Sequence, residues 1–228
     1  MWSRRLAWLT ILGQLACLAG WVFAGVIERH GYSVTSDDIS DLGALTAHHP
    51  ALVLVTCGLS GAVTIAFALV ALRPELGLGA WLVALSLAGL DDLSDAFFRL
   101  DCRAADNGCS IHDATASWHG KVHMAAAVIA ALATVAAPFV LASRMRPVDR
   151  WRPLARPTLA FGVVVVVSAV ADLALTETPL QGLAERVLAV IVPLGVVALA
   201  VWVLQLKDVA APRGSPMSNA FNVNDTST

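Results

Sequence analysis

Ser117–Leu132 reads SWHGKVHMAAAVIAAL, and the apolar run that it opens continues to about residue 142. A stretch of about 18 or more apolar residues is long enough to cross a bilayer as a helix. Two histidines, His119 and His123, stand one helical turn apart at its mouth. Lipid rejects titratable rings, so they are predicted to face the interior of a bundle or the water above it.

The rest of the chain follows the same pattern. Of 228 residues, 57% are hydrophobic and only 14% charged, against about a quarter charged in ordinary soluble domains. The excess lies in six runs, predicted as spans at roughly 6–27, 51–72, 79–100, 119–142, 158–176 and 184–206. The fold class is therefore all-α, a polytopic membrane helical bundle of six transmembrane helices forming one domain over 1–206. Residues 207–228 are polar and predicted to be a disordered cytoplasmic tail. Trp2, Trp8, Trp81, Trp118 and Trp151 fall near the ends of the runs, where an aromatic belt belongs. Pro138 and Pro193 lie within spans and are predicted to kink them.

The N-terminus has the basic start and apolar core of a signal peptide. However, Gln14 sits where a lipoprotein cleavage site before Cys17 wants an aliphatic residue, and the run continues to Ile27. An uncleaved first span is expected. Arginine fixes the orientation. The stretch SRMRPVDRWRPLAR over 143–156 carries five arginines, and Arg4, Arg5 and Arg73 fall on the same side of a six-span chain. By the positive-inside rule both termini are cytoplasmic, and the expected location is the plasma membrane. A net charge of −2 gives no sign of nucleic acid as a partner.

With that topology, all six histidines and most acids gather on the outer side. In span 3, ALSLAGLDDLSDAFFRL puts Asp91, Asp95 and Arg99 on one helical face, with Asp92 turned about 100° away. Span 5 carries Asp172, and Glu185-Arg186 open span 6. Intramembrane acids are costly and mark function by default. They predict an outward-facing polar bowl lidded by loops 28–50 and 101–118. In the first loop Ser36-Asp37-Asp38 resembles a helix start, predicting a short interfacial helix over about 37–46 that packs Ile39, Leu42 and Leu45 downward. Asp37 and Asp41 either cap that helix or lean into the bowl, and His48-His49-Pro50 is expected to be a solvated turn. Cys102 and Cys109 bracket AADNG in an outer loop and are predicted to form a disulfide. Cys17 and Cys57 are expected to be small packing residues.

Two readings of the bowl compete. As an ion-paired scaffold, Asp95 pairs with Arg99, Glu185 or Asp172 takes Lys121 or Arg186, and the histidines hydrogen-bond to acids. As a metal site, His119 and His123 would hold zinc or another divalent ion with one of Asp91, Asp95 or Asp37, and another carboxylate would act as general base.

The order of motifs resembles the bacterial and archaeal integral membrane family known as domain-of-unknown-function family 998. SDDISDLGA follows the first span, a histidine opens span 4, an Arg/Trp/Pro-rich loop follows it, and GLAERV opens span 6. Ile39-Ser40-Asp41-Leu42-Gly43 matches the family's ISxLG-type segment, and His123 matches its histidine. The acid-rich LDDLSD departs from the pattern. The resemblance covers roughly 6–206 and implies the fold without an activity. A fainter similarity, to ceramidase-like hydrolases that hold zinc with an HxxxH pair, concerns chemistry alone. Those enzymes have seven spans, with the pair in the last.

The favoured reading is a non-catalytic membrane protein whose bowl binds a small ligand or is structural. A metal-dependent hydrolase of a lipid or envelope substrate at the outer leaflet stands as the alternative, and a transporter as the second. Expected partners are the lipid bilayer and a lipid or small-molecule ligand on the outer side. The oligomeric state stays open.

Overall fold

A computed structural model describes residues 2–28 and 31–206, and among these all regular structure is helical. The predicted tail at 207–228 lies outside the described residues. Five helices are long and apolar enough to cross a membrane: α1 (Trp2–Ile27), α2 (Pro50–Leu76), α6 (Trp118–Met145), α7 (Arg152–Leu175) and α8 (Gln181–Gln205). Between them stand α3 (Leu78–Ala84), α4 (Asp92–Asp95) and the short α5 (Ile111–Ala114).

These helices are apolar on every side, as a lipid-bathed bundle requires. On α7, Val163, Val164, Val167, Val170 and Leu173 all remain exposed. Several apolar helices of this kind make a membrane protein with several spans. Pro138 and Pro193 lie within α6 and α8, and both helices continue through them. A π-type turn at Ala68–Leu72 interrupts α2.

One end of the bundle is clasped by Glu75. Its carboxylate accepts from the Trp151 indole N–H at 2.7 Å and pairs with Arg150, tying the turn after α2 to the loop before α7. Trp151 is fully buried there, so it does not join an aromatic belt. Its indole N–H instead satisfies a carboxylate inside the protein, whereas Trp2, Trp8, Trp81 and Trp118 stay exposed.

The third apolar run is broken, contrary to the predicted continuous helix over 79–100. Ser86 is extended (φ −73°, ψ 175°), a π-type turn spans Leu87–Asp91, and α4 ends at Asp95. Backbone groups freed inside a bilayer need partners from neighbouring helices. Thr134 of α6 supplies one, its hydroxyl accepting from the Leu87 N–H at 2.9 Å. Gln14 of α1 supplies another, its amide donating to the Ala88 carbonyl at 3.4 Å.

At the opposite end, residues 31–49 form a lid. The predicted interfacial helix is only a 3-10 turn at Ser40–Gly43. Leu42 packs inward as expected, but Leu45 is exposed. Arg99 does not share a helical face with Asp91 and Asp95, because the helix has ended. Its guanidinium donates to the Gly43 and Ala44 carbonyls of the lid, each at 2.7 Å. Cys17 and Cys57 are joined in a disulfide between α1 and α2, which corrects their reading as packing residues. The second disulfide, Cys102–Cys109, closes the loop before α5 as predicted.

Candidate functional site

Beneath the lid lies a cavity of about 610 Å³. Eight acidic side chains line it. Asp38 and Asp41 come from the lid, Asp91, Asp92 and Asp95 from the broken segment, and Asp172, Glu177 and Glu185 from α7, α8 and the turn between them. Among the described residues, His123 is the one histidine in the lining, and no lysine or arginine contributes to it. Trp21, Ile39, Val53 and Leu188 give it apolar walls.

The break in the third segment is what presents the acids together. After the π-type turn, Asp91 and Asp95 meet His123 on α6. The His123 Nδ1 lies 2.9 Å from Asp95 Oδ1 and 3.2 Å from the Phe98 carbonyl oxygen. One carboxylate oxygen of Asp91 is buried with no hydrogen-bond partner among the described residues. Asp92 points the other way, toward the Cys17–Cys57 disulfide, with both its oxygens 3.9 Å from Cys17 Sγ.

The lid is fastened to α8 by hydrogen bonds. Glu185 accepts from the Ile39 N–H at 2.6 Å, the Leu183 N–H donates to the Thr35 carbonyl at 3.0 Å, and Gln181 donates to the Asp38 carboxylate at 2.8 Å. Arg186 is buried, donating to the carbonyls of Asp37 and Gly182 and to the Tyr32 hydroxyl. Burial pushes the Tyr32 hydroxyl up, so it stays a phenol that also donates to the Asp38 carbonyl. Gly182 makes this docking feasible, since a Cβ there would stand 2.8 Å from the Asp37 nitrogen.

Asp41 is held inside the lid by the backbone N–H groups of Ala104 (2.9 Å) and Ala105 (3.3 Å). Burial pushes its carboxyl up to about 6, only partly offset by those two donors. Burial likewise raises Asp38, against the lowering bond from Gln181. Beside them, Glu28 accepts from Arg103 at 2.7 Å and lies 2.9 Å from the His48 ring. The His48-His49-Pro50 turn is exposed at both histidines, as expected, but is tied to Glu28 through His48.

The predicted site residues divide. Asp91, Asp92, Asp95, His123, Asp41, Asp172 and Glu185 all line the cavity. Asp37, Arg99 and Arg186 do not; they serve the lid. His119 leaves its partner, stacking on Trp118 with ring centroids 3.9 Å apart and lying against Phe98. His119, His123, Asp91 and Asp95 thus do not converge as four ligands. Among the described residues, the one group of three or more His, Cys, Asp or Glu whose ligand atoms all lie within 4.8 Å of one another is Cys17, Cys57 and Asp92. Of the pairings expected of an ion-paired scaffold, the histidine–acid contacts are formed, His123 with Asp95 and His48 with Glu28, but those with arginine and lysine are not. Among the described residues no lysine or arginine pairs with Asp91, Asp92, Asp95, Asp172 or Glu185.

Sequence reasoning missed Asp38, Glu177 and the Cys17–Cys57 pair. The cysteines left a signal. Cys17 lies ten residues before the end of α1 and Cys57 seven after the start of α2, so antiparallel neighbours bring them to similar depth. Glu177 has φ 65°, a backbone region that side chains seldom adopt, at the turn between α7 and α8.

A family model described as "Protein of unknown function (DUF998)" matches residues 11–202. No curated protein and no solved structure matches the chain.

Proposed function

The chain belongs to the DUF998 family of proteins of unknown function, and from that premise we propose that it is a plasma-membrane protein whose outward-facing cavity binds a small organic cation. In this reading the broken segment is the sixth crossing, both termini are cytoplasmic, and the lid faces the outside.

The observation that carries it is the unbalanced charge of the cavity. Among the described residues, eight acids and one histidine line it and no lysine or arginine does. Arg99 and Arg186 bind lid carbonyls, and Arg103 pairs with Glu28 and Asp106. Unpaired acids in a low-dielectric setting are costly, and a ligand cation repays that cost. The unpartnered oxygen of Asp91 marks where the cation would sit. The size of the cavity and its apolar walls favour an organic cation over a bare metal ion. A metal-dependent hydrolase has less support, because His119 lies apart from the other candidate ligands. A transporter has less support too. The neighbouring cavity of about 450 Å³, lined by Val83, Pro138, Leu141, Phe161 and Leu199, is apolar and offers a cation no onward path.

The test is thermal melting of the purified protein with a panel of amines, quaternary ammonium ions and divalent metals, beside neutral isosteres. A ligand at 100 times its Kd stabilises the fold by about 2.7 kcal/mol. The expected result is a higher Tm with one or more organic cations and none with their neutral isosteres. A Tm unmoved by every organic cation, or moved only by metals, overturns the proposal.

A further inference from the structure

We propose that Cys17–Cys57 is a redox-active disulfide, reduced in the folded protein by a low-molecular-weight thiol that enters the cavity, with Asp92 passing the proton to Cys17. Three observations meet at this point. Both cysteines and Asp92 line the same cavity, so a small molecule can reach them there. Each cysteine is buried, with only 6% exposure, which shuts out a protein reductant. The Asp92 carboxylate lies against the disulfide, with both oxygens 3.9 Å from the Cys17 sulfur and the Cys57 sulfur within 4.8 Å.

That last contact has a chemical sense in only one redox state. A disulfide sulfur carries no hydrogen and cannot donate to Asp92. A Cys17 thiol can. The carboxyl therefore gains this thiol donor only on reduction, and its position 3.9 Å from the Cys17 sulfur places it to hand a proton to that sulfur as it departs. Arrangements of this kind set thiolate character, and thiolate character sets exchange rate.

The exchange balances as follows. A thiolate RS⁻ attacks Cys57 Sγ, the Cys17–Cys57 bond breaks, and Cys17 leaves as a thiolate that takes the proton of the Asp92 carboxyl. The proton lost by the first RSH restores Asp92. A second RS⁻ attacks the R sulfur of the mixed disulfide, RSSR departs, and Cys57 takes the proton of the second RSH. Overall, one protein disulfide and two RSH become two protein thiols and RSSR. Reduction cuts the one covalent tie between α1 and α2, and it changes the partner of a cavity acid. The inference needs the cavity to be open but does not need its ligand to be a cation, so loss of cation binding would leave it standing.

The experiment uses the full chain in lipid nanodiscs. It is exposed to 2-mercaptoethanol, quenched with N-ethylmaleimide, and read by peptide mass spectrometry. Cys102–Cys109 in the same sample reports general reducibility. The expected result is reduction of Cys17–Cys57 in the folded protein. In Asp92→Asn it should slow at least tenfold, while Cys102–Cys109 keeps its rate, and Asp92→Glu should recover much of the loss. A Cys17–Cys57 bond that yields only after unfolding overturns the proposal on wild-type protein alone, whether or not Asp92→Asn folds. Equal rates in wild type and a folded Asp92→Asn overturn it as well.

Discussion

Asp41 shows how one side chain can make the lid sensitive to pH. Burial raises its carboxyl to about 6, with Asp38 and Asp37 adding to the rise. An unfolded aspartate titrates near 3.9, so between these values the folded chain binds more protons than the unfolded one. The stabilising contribution is therefore fully present below about 4 and is lost as pH rises through about 6. A two-unit shift corresponds to roughly 3 kcal/mol at most. The melting temperature of wild type should fall between pH 5 and pH 7.5 by more than that of Asp41→Asn, whose amide does not titrate. Parallel curves for the two proteins would refute this. Asp91 carries a second prediction at this scale. Asp91→Asn removes the charge that the ligand is proposed to meet, so it should cut affinity for a stabilising cation tenfold or more in isothermal titration, with no loss of stability in the empty protein. Much of the site was legible in the residues themselves. Intramembrane acids are expensive, and Asp91, Asp95, Asp172 and Glu185 stood out for that reason. What was hidden was pairing. HxxxH spacing cannot reveal that His119 prefers the Trp118 and Phe98 rings, nor that Arg99 turns to lid carbonyls.

At the scale of elements, the broken third segment does most to build the cavity, and its geometry rests on close packing and borrowed hydrogen bonds. Thr134 accepts from the Leu87 N–H at 2.9 Å. Thr134→Val keeps the shape and removes the acceptor, leaving a buried N–H unpaired at a cost of about 1–3 kcal/mol. Gly61 of α2 is the packing counterpart. A Cβ there would stand 2.5 Å from the Leu93 nitrogen and 2.6 Å from the Gly89 carbonyl oxygen. Both are backbone atoms that cannot swing aside, so Gly61→Ala should destabilise by about 1–3 kcal/mol or more, as overpacking does. Denaturant titration in detergent measures both. A wild-type midpoint for Gly61→Ala would mean that the segment is not wedged against α2. The break itself was not legible. Leu85-Ser86-Leu87 has no proline and continues an apolar run, and periodicity cannot distinguish a straight helix from one interrupted by an extended serine. The partners that permit the break, Gln14 and Thr134, are 72 and 48 residues from Ser86 in sequence.

For the molecule as a whole, the number of times the chain crosses decides where the cavity faces. Five long helices alone would leave the termini on opposite sides. The broken segment argues for a sixth crossing. It starts beside the turn that Glu75 clasps to Arg150 and Trp151, and it leads into Arg99, which binds the lid at the other end. Residues 78–95 reach roughly 27 Å as a helix, close to the hydrocarbon thickness of about 30 Å. The arginines agree. Arg4, Arg5, Arg73, Arg144, Arg146, Arg150, Arg152 and Arg156 fall on one side only if the segment crosses, as the positive-inside rule demands. The rule acts through loop charge and not through helix continuity, so the sequence carries an argument for an even number of crossings but none for the break. Alkaline phosphatase, active only outside the cytoplasm, should be silent when fused after residue 206 or within 146–151 and active within 103–110. Activity at the C-terminal fusion, with 146–151 still silent, would leave an odd number of crossings. The segment would then be re-entrant, and the acids of the cavity would lie at the end of a dip in the chain rather than along a path across the membrane.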